Sequence, residues 1–246
     1  MVHIYLLSFD WSQLLQPQWY VEYGGLWLLL FVVFAETGLF VGFFLPGDSL
    51  LFIAGIYVHE IKLKGETLPG LSQQFFDAIG MNNSQNVFIE LIVLIGLISI
   101  AGITGNLVGY WTGRRFGPAM YSWKDRWLFK KRYLLQAHEF YEKHGVMAIV
   151  VARFIPFIRT FAPIIAGIVA MDRKKFHFFN IVGCIAWVST MVLAGYFLQR
   201  LIWRQFHFDL KDHLEIIVLG IVLVTTAPVL LKLVASSKKN EPPPNL

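Results

Sequence analysis

The chain has 246 residues, of which 56% are hydrophobic and only 15% charged, with 22 Phe and 8 Trp. A soluble domain of ordinary composition carries about 25% charged residues, and the apolar residues here gather in blocks near the length needed to cross a bilayer, so the composition excludes a soluble globular protein and indicates a polytopic all-α membrane protein. The net charge of +5 resides mainly in loops, which favours membrane orientation over a nucleic-acid partner, and the single Cys184 lies inside an apolar block, so no disulfide framework or cysteine metal cluster is built within one chain.

Residues 1–23 contain no Lys or Arg, and so lack the basic region of a secretory signal. Trp11, Trp19, Tyr20 and Tyr23 suit a segment lying at headgroup level. The membrane domain is expected over 24–235. Its first apolar block, about 24–58, is too long for one ordinary span and is interrupted at Pro46-Gly47-Asp48. Two arms and a break follow from this. Glu36 lies in the first arm and Asp48 just after the break, and acids in so apolar a setting need shelter, a partner or protonation.

Residues 59–85 are polar and read as a loop with a short surface helix. A transmembrane helix is expected over about 87–111, with Glu90 near the headgroups, and Gly105, Gly109 and Gly113 line up one small-residue face for close helix packing, within one chain or in a homo-oligomer. The basic loop, 114–145, holds Arg114, Arg115, Lys124, Arg126, Lys130, Lys131, Arg132 and Lys143 and is cytoplasmic by the positive-inside rule; Trp123, Trp127 and Phe129 among these charges indicate an interfacial helix on anionic lipid.

The stretch Val151 to Gly167, within about 146–171, is apolar yet carries Arg153, Arg159, Pro156 and Pro163. Each central Arg costs about 2.5–3.5 kcal/mol on an insertion scale, roughly cancelling the gain from the apolar residues. The prolines remove backbone donors and push Ile155 and Ala162 towards extended conformations. Broken backbone at membrane depth is tolerated where protein or a water-filled cavity surrounds it, so a re-entrant hairpin with inward-facing arginines is expected. Transmembrane helices follow at about 176–198 and 214–234, and 236–246, with its Glu-Pro-Pro-Pro, reads as a disordered cytoplasmic tail.

Tracing sides from the basic loops makes the two broken segments enter from opposite faces. Their sequences echo each other: Phe44-Leu45-Pro46, Asp48-Ser49 and Ile53-Ala54-Gly55-Ile56 against Phe154-Ile155-Pro156, Arg159-Thr160 and Ile165-Ala166-Gly167-Ile168, with a spacing that differs by two residues. Paired interrupted segments in oppositely oriented halves point to a transporter site near the midplane. Two guanidiniums offer forked donors for a phosphate or carboxylate. Neutralisation of Arg153 and Arg159 by Glu36 and Asp48 across the hairpins is the rival reading, but desolvation can exceed the Coulombic gain of buried pairs, so four charges on two broken segments are better explained by a substrate pathway.

Glu36, the Phe-x-x-Pro-Gly-Asp-Ser of Phe43 to Ser49, the Gly-Asn-x-x-Gly-Tyr of Gly105 to Tyr110, and the Arg-Phe-x-Pro-x-x-Arg-Thr of Arg153 to Thr160 followed by Pro163 and Ala166-Gly167 together resemble the DedA family, also called SNARE-associated or VTT-domain proteins. The resemblance covers roughly residues 24–200. It implies a bacterial inner-membrane, multi-pass protein with two opposed re-entrant hairpins in an inverted repeat, whose membrane-embedded acids correspond to Glu36 and Asp48 and whose essential arginines correspond to Arg153 and Arg159. It also implies lipid transport, with undecaprenyl phosphate as the cargo of some members and phospholipid scrambling in eukaryotic relatives. The expected function is a translocase for such a lipid phosphate: Arg153 and Arg159 bind the phosphate, Glu36 and Asp48 exchange protons, and Pro46, Gly47, Pro156, Pro163 and Gly167 shape the hairpins. A proton-coupled carrier of small ions or solutes and a general phospholipid scramblase are the alternatives, and a membrane lipid phosphatase is the least favoured. No enzyme, cofactor or metal is expected, because His138, His144 and His177 lie in or beside cytoplasmic loops without catalytic or metal-binding spacing.

Overall fold

A computed structural model describes residues 17–39, 45, 47–63, 66–81, 86–122 and 156–206. Pro46, Arg153, the interfacial helix expected after Ser122, the first arm of the second hairpin, the span at 214–234 and the tail all lie outside the described residues.

Helix α1 spans Pro17–Gly38 and is interrupted at Gly25, whose φ of 58° and ψ of −153° are not helical. Only glycine adopts that conformation readily. Where the helix restarts, the Leu26 N–H donates to Gln74 Oε1 at 2.8 Å, so a side chain from elsewhere in the fold supplies the missing partner of a new helix terminus. Helix α2 spans Gly47–Ile56, and every residue in it is buried. The 14 residues of α1 from Gly25 to Gly38 and the 10 of α2 rise about 21 and 15 Å at 1.5 Å per residue, and neither reaches the roughly 30 Å of a hydrocarbon core.

The polar segment that follows contains more than a loop and one helix. Strands β1 (Glu60–Leu63) and β2 (Glu66–Pro69) pair antiparallel, with Glu60 opposite Pro69 and Leu63 opposite Glu66. Glu-Ile-Lys-Leu alternates polar and apolar residues with the period of two that a strand requires. Helix α3 (Leu71–Ala78) is then tied to the chain leaving α2: Leu71 N–H donates to the Tyr57 carbonyl at 3.1 Å and Ser72 Oγ to the Val58 carbonyl at 2.6 Å.

Two long helices form the frame, α4 (Val87–Ser122) and α6 (Arg173–Phe206). Both contain apolar stretches long enough to cross a membrane. They exceed their expected limits: α4 carries Arg114 and Arg115 on the helix rather than in a loop, and α6 carries Arg200 and Arg204. A continuous helix keeps its own backbone hydrogen bonds, and long basic side chains near helix ends can reach the headgroup zone. The Arg115 guanidinium, for example, lies 5.6 Å from the centroid of the Trp111 ring one turn earlier. Exposed Phe88 and Trp111 mark α4, and exposed Phe178 and Trp203 mark α6, pairs separated by about 34–38 Å at helical rise. That spacing fits aromatic belts at the two edges of a bilayer. Exposed Ile92, Ile100, Ile181, Val182 and Ile185 lie between them.

Between α4 and α6 sits helix α5, Pro156–Ile168. Pro156 takes its first position, where a missing N–H costs nothing. Pro163 lies inside the helix and Ala162 is helical, contrary to the expected extension before that proline. Packing explains the tolerance, since the Pro163 ring faces Gly109 of α4, where even an added Cβ would stand 3.5 Å away.

The contacts fix directions. Gly102 of α4 faces Val33 of α1 and Gly105 abuts Thr37 and Gly38, while Gly113 abuts the Ile164 carbonyl and Gly117 abuts Ile168, so α1 and α5 both run alongside α4 in its own direction. Asn180 donates to the Ile103 carbonyl and Cys184 to the Ser99 carbonyl, which makes α6 antiparallel to α4. One hydrophobic core, including Leu26, Leu29, Val33, Leu50, Ile53, Leu94, Ile98 and Trp187, joins α1, α2, α4 and α6. A smaller one joins Tyr110, Ala166 and Phe176 near the far end of α4.

Two tests follow from these contacts. A Cβ at Gly113 would overlap the Ile164 backbone, so Gly113→Val is expected to force α4 and α5 apart at a cost of about 1–3 kcal/mol; an unchanged thermal midpoint in detergent would refute the close approach. At the start of α6, Asp172 Oδ1 accepts the Lys175 N–H at 2.9 Å. That backbone hydrogen bond, with Lys175 and Lys174 nearby, holds the exposed Asp172 carboxyl below its ordinary range. A depressed folded value means that the cap stabilises above the unfolded carboxyl's pKa of about 4 and is lost as the pH falls through the lower folded value. Amide exchange in the first turn of α6 should therefore accelerate below about pH 4, relative to a core reference, and lose that response in Asp172→Asn.

Candidate functional site

The broken segments meet end to end. Glu36 lies in the last turn of α1, Asp48 is the second residue of α2 and Arg159 lies in the first turn of α5. Helix dipoles favour only one of these placements: Asp48 sits at a positive helix end, whereas Glu36 sits at a negative end and Arg159 at a positive one. Each of the misplaced charges is held by the other. Arg159 Nη2 donates to Glu36 Oε1 and Nη1 to Asp48 Oδ1, forming two buried ion pairs on a single guanidinium. The three residues are 2%, 8% and 8% exposed for Glu36, Asp48 and Arg159, too little for water to screen the cluster.

Trp187, midway along α6, completes the site. Its Nε1 donates to Asp48 Oδ1 at 2.8 Å, and the Arg159 guanidinium lies 4.8 Å from the ring centroid. In sequence Trp187 is only an aromatic residue within the span expected at about 176–198. The available signal was an indole N–H at mid-span, a donor that needs an acceptor where few exist.

Gly47 has a steric role. A Cβ there would occupy the position of the Glu36 carboxylate, so the first residue of α2 has to be the smallest if that carboxylate is to reach Arg159. Gly167 of α5 similarly lies against the Tyr110 and Arg114 backbone. Thr37 Oγ1 turns back to the Val33 carbonyl at 2.8 Å and stays out of the cluster. Glu36 Oε2 and Arg159 Nε are buried without a hydrogen-bond partner among the described residues. Two carboxylates thus face one guanidinium there, and two polar atoms retain unused bonding capacity. Arg153, the other arginine of the expected set, lies outside the described residues.

Residues 84–197 match the VTT domain. The chain is 36% identical to Protein DedA of Escherichia coli (strain K12) over 216 residues, covering 87% of this chain and 84% of that protein. The chain belongs to the DedA family. It is also 35% identical over 202 residues to an uncharacterized membrane protein of Mycobacterium leprae (strain TN), covering 82% and 76% of the two chains. With Inner membrane protein YqjA of Escherichia coli (strain K12) it shares 31% identity over 201 residues, covering 77% and 79%. No solved structure matches. The DedA relatives named as membrane proteins and the two apolar helices of spanning length agree that this is a membrane protein.

This DedA-family chain buries a further acid, at the end of α4 that is expected near the headgroups. Glu90 is fully buried, and its Oε2 lies 3.0 Å from Nδ1 of the half-exposed His59, at the end of the bundle where α2 leads into β1. Glu90 is in the first turn of α4, where the helix dipole favours a carboxylate. At the opposite end, Tyr110 stacks on Phe176 with ring centroids 4.3 Å apart, and its hydroxyl donates to the Met171 carbonyl at 2.5 Å.

Proposed function

We propose that this protein is a lipid-phosphate translocase that moves undecaprenyl phosphate or a similar anionic lipid carrier between the leaflets of a bacterial inner membrane. The observation that carries this reading is Arg159, buried at the junction of three helix ends with a carboxylate on each terminal nitrogen. A phosphate accepts the same forked donation as a carboxylate. Protonation of Glu36 or Asp48 removes a competing acceptor and frees guanidinium N–H groups for the headgroup; deprotonation restores the ion pairs and expels it. The acids and the arginine thereby link proton uptake to phosphate capture. Arg153 is a second phosphate ligand in this scheme, and the lipid tail stays in the bilayer, because only the phosphate is costly to move through hydrocarbon.

The short arms of α1 and α2, the direction of α5 and the meeting of their ends support two opposed re-entrant hairpins, an inverted repeat around a multi-pass membrane domain. In that arrangement the bundle end bearing Arg114 and Arg173 faces the cytoplasm. The two-to-one excess of carboxylates over guanidinium among the described residues also supports a second reading, a proton-coupled carrier of a small ion or solute. Leaflet exchange of labelled undecaprenyl phosphate in proteoliposomes, with an imposed pH gradient, separates them. Exchange dependent on protein and gradient is the expected result. Ion or solute flux in vesicles without the lipid phosphate, together with no lipid exchange, would support the carrier instead.

A further inference from the structure

Five basic residues, Arg114, Arg115, Arg173, Lys174 and Lys175, gather at the end of the bundle opposite the His59–Glu90 pair, and one of them differs from its neighbours. Arg115, Arg173, Lys174 and Lys175 are exposed, whereas Arg114 is half-buried and fixed. Its Nη1 donates to the Tyr110 hydroxyl at 2.8 Å and lies 3.4 Å from the Met171 carbonyl. That carbonyl is held by the end of α5: Met171 N–H donates to the Ala166 carbonyl and Ala170 N–H to the Gly167 carbonyl, with Ala170 in the left-handed region at φ 56°. The Tyr110–Phe176 stack holds the other partner.

Both partners of Arg114 are neutral, and among the described residues it has no carboxylate partner. Asp172 is the one acid in the surrounding segments, 110–122 and 168–178, and its carboxylate caps α6. Arg159 is the contrast, with two acids on its terminal nitrogens. A guanidinium braced through one nitrogen, with no acid among the described residues to compensate its charge and with exposed cations around it, suits an anion in fork geometry. Its position relative to the central site follows from α4: Gly105 touches α1 at Thr37, beside Glu36, and Arg114 lies nine residues further along, about 14 Å at helical rise. Helix α5 covers the same interval, from Arg159 in its first turn to the Met171 carbonyl just past its end.

We propose that Arg114, braced on Tyr110 and Met171, is a second phosphate station, which holds the headgroup of an anionic lipid at the basic rim before or after its passage by Arg159. The proposal rests on the lipid-phosphate reading of the central site. Arg115 stands over Trp111 at the same level, and Lys174 and Lys175 supply long-range attraction, so the rim gathers anionic lipid and Arg114 orients its phosphate.

The test is binding of undecaprenyl phosphate to the full chain in nanodiscs of zwitterionic lipid, with inorganic phosphate as competitor. Arg159→Gln should keep a binding component that Arg114→Gln removes, with affinity falling about tenfold or more. Arg114→Lys keeps the charge, spares the fold if glutamine does not, and should lose most of that component because it lacks the fork. Tyr110→Phe keeps the ring on Phe176 and the Arg114 charge and should bind far better than Arg114→Gln; equal losses would reduce Arg114 to a structural brace. Unchanged binding in both Arg114 variants would overturn the station, and full displacement by millimolar inorganic phosphate would make it a site for the free anion. Binding that needs Arg114, in a protein that exchanges no lipid between leaflets, would leave the station standing and remove the translocase reading.

Discussion

Arg159→Gln is expected to abolish leaflet exchange of undecaprenyl phosphate, and to destabilise the protein at the same time. Its removal leaves Glu36 and Asp48 buried beside each other without their shared cation, and breaking a buried pair by deleting one partner costs about 3–5 kcal/mol. Loss of stability alone would produce an inactive protein, so the informative comparison is the neutral cluster. In Arg159→Gln combined with Glu36→Gln and Asp48→Asn no buried charge lacks a partner, and much of the thermal stability should return while exchange stays absent. Recovery of exchange together with stability would show that the cluster only neutralises itself. Arg159→Lys adds a second discrimination: one ammonium cannot reproduce two parallel donors to two different carboxylates, so exchange should fall strongly, and full activity would mean that charge alone suffices.

Glu36→Gln should uncouple exchange from the pH gradient. A glutamine carbonyl can still accept from Arg159 Nη2, but it neither takes up a proton nor holds the guanidinium as an anion does. Exchange in this variant should become insensitive to the gradient and should slow about tenfold or more, equivalent to about 1.4 kcal/mol on the rate-limiting step. Asp48→Asn should behave differently, because Asp48 Oδ1 is shared by Arg159 and Trp187. An asparagine turned to keep its oxygen there has its amide to place in a buried site, so a loss of stability should accompany the loss of coupling. A full gradient response in Glu36→Gln would assign the proton step to other residues.

Much of the central site is written in local chemistry. Acids inside an apolar block and an arginine inside another are improbable in lipid without partners, so Glu36, Asp48 and Arg159 can be singled out one residue at a time, and Pro46-Gly47-Asp48 marks an interruption wherever it falls. The helical class follows with the same directness from apolar blocks of spanning length. The edges of the helices do not follow, because nothing local distinguishes an Arg at the end of a membrane helix from one in the next loop; Arg114, Arg115, Arg200 and Arg204 lie on α4 and α6 because those helices continue. Pro163 shows the same limit in reverse. Its local signal is a break, and packing against Gly109 lets the helix pass through it.

Partnership is what only the tertiary structure decides. That Gly47 leaves room for a carboxylate depends on how α1 and α2 meet; that both acids share Arg159, that Trp187 from α6 completes the cluster and that Glu90 is buried against His59 are contacts across 31 to 139 residues of sequence. No periodicity encodes such distances. The sequence by itself determined which side chains could not remain alone in a membrane, because desolvation penalises charge wherever the chain goes. The tertiary structure decided which of them meet, because that depends on the directions and close approaches of α1, α2, α4, α5 and α6, set by glycine contacts and apolar packing far from the charges themselves.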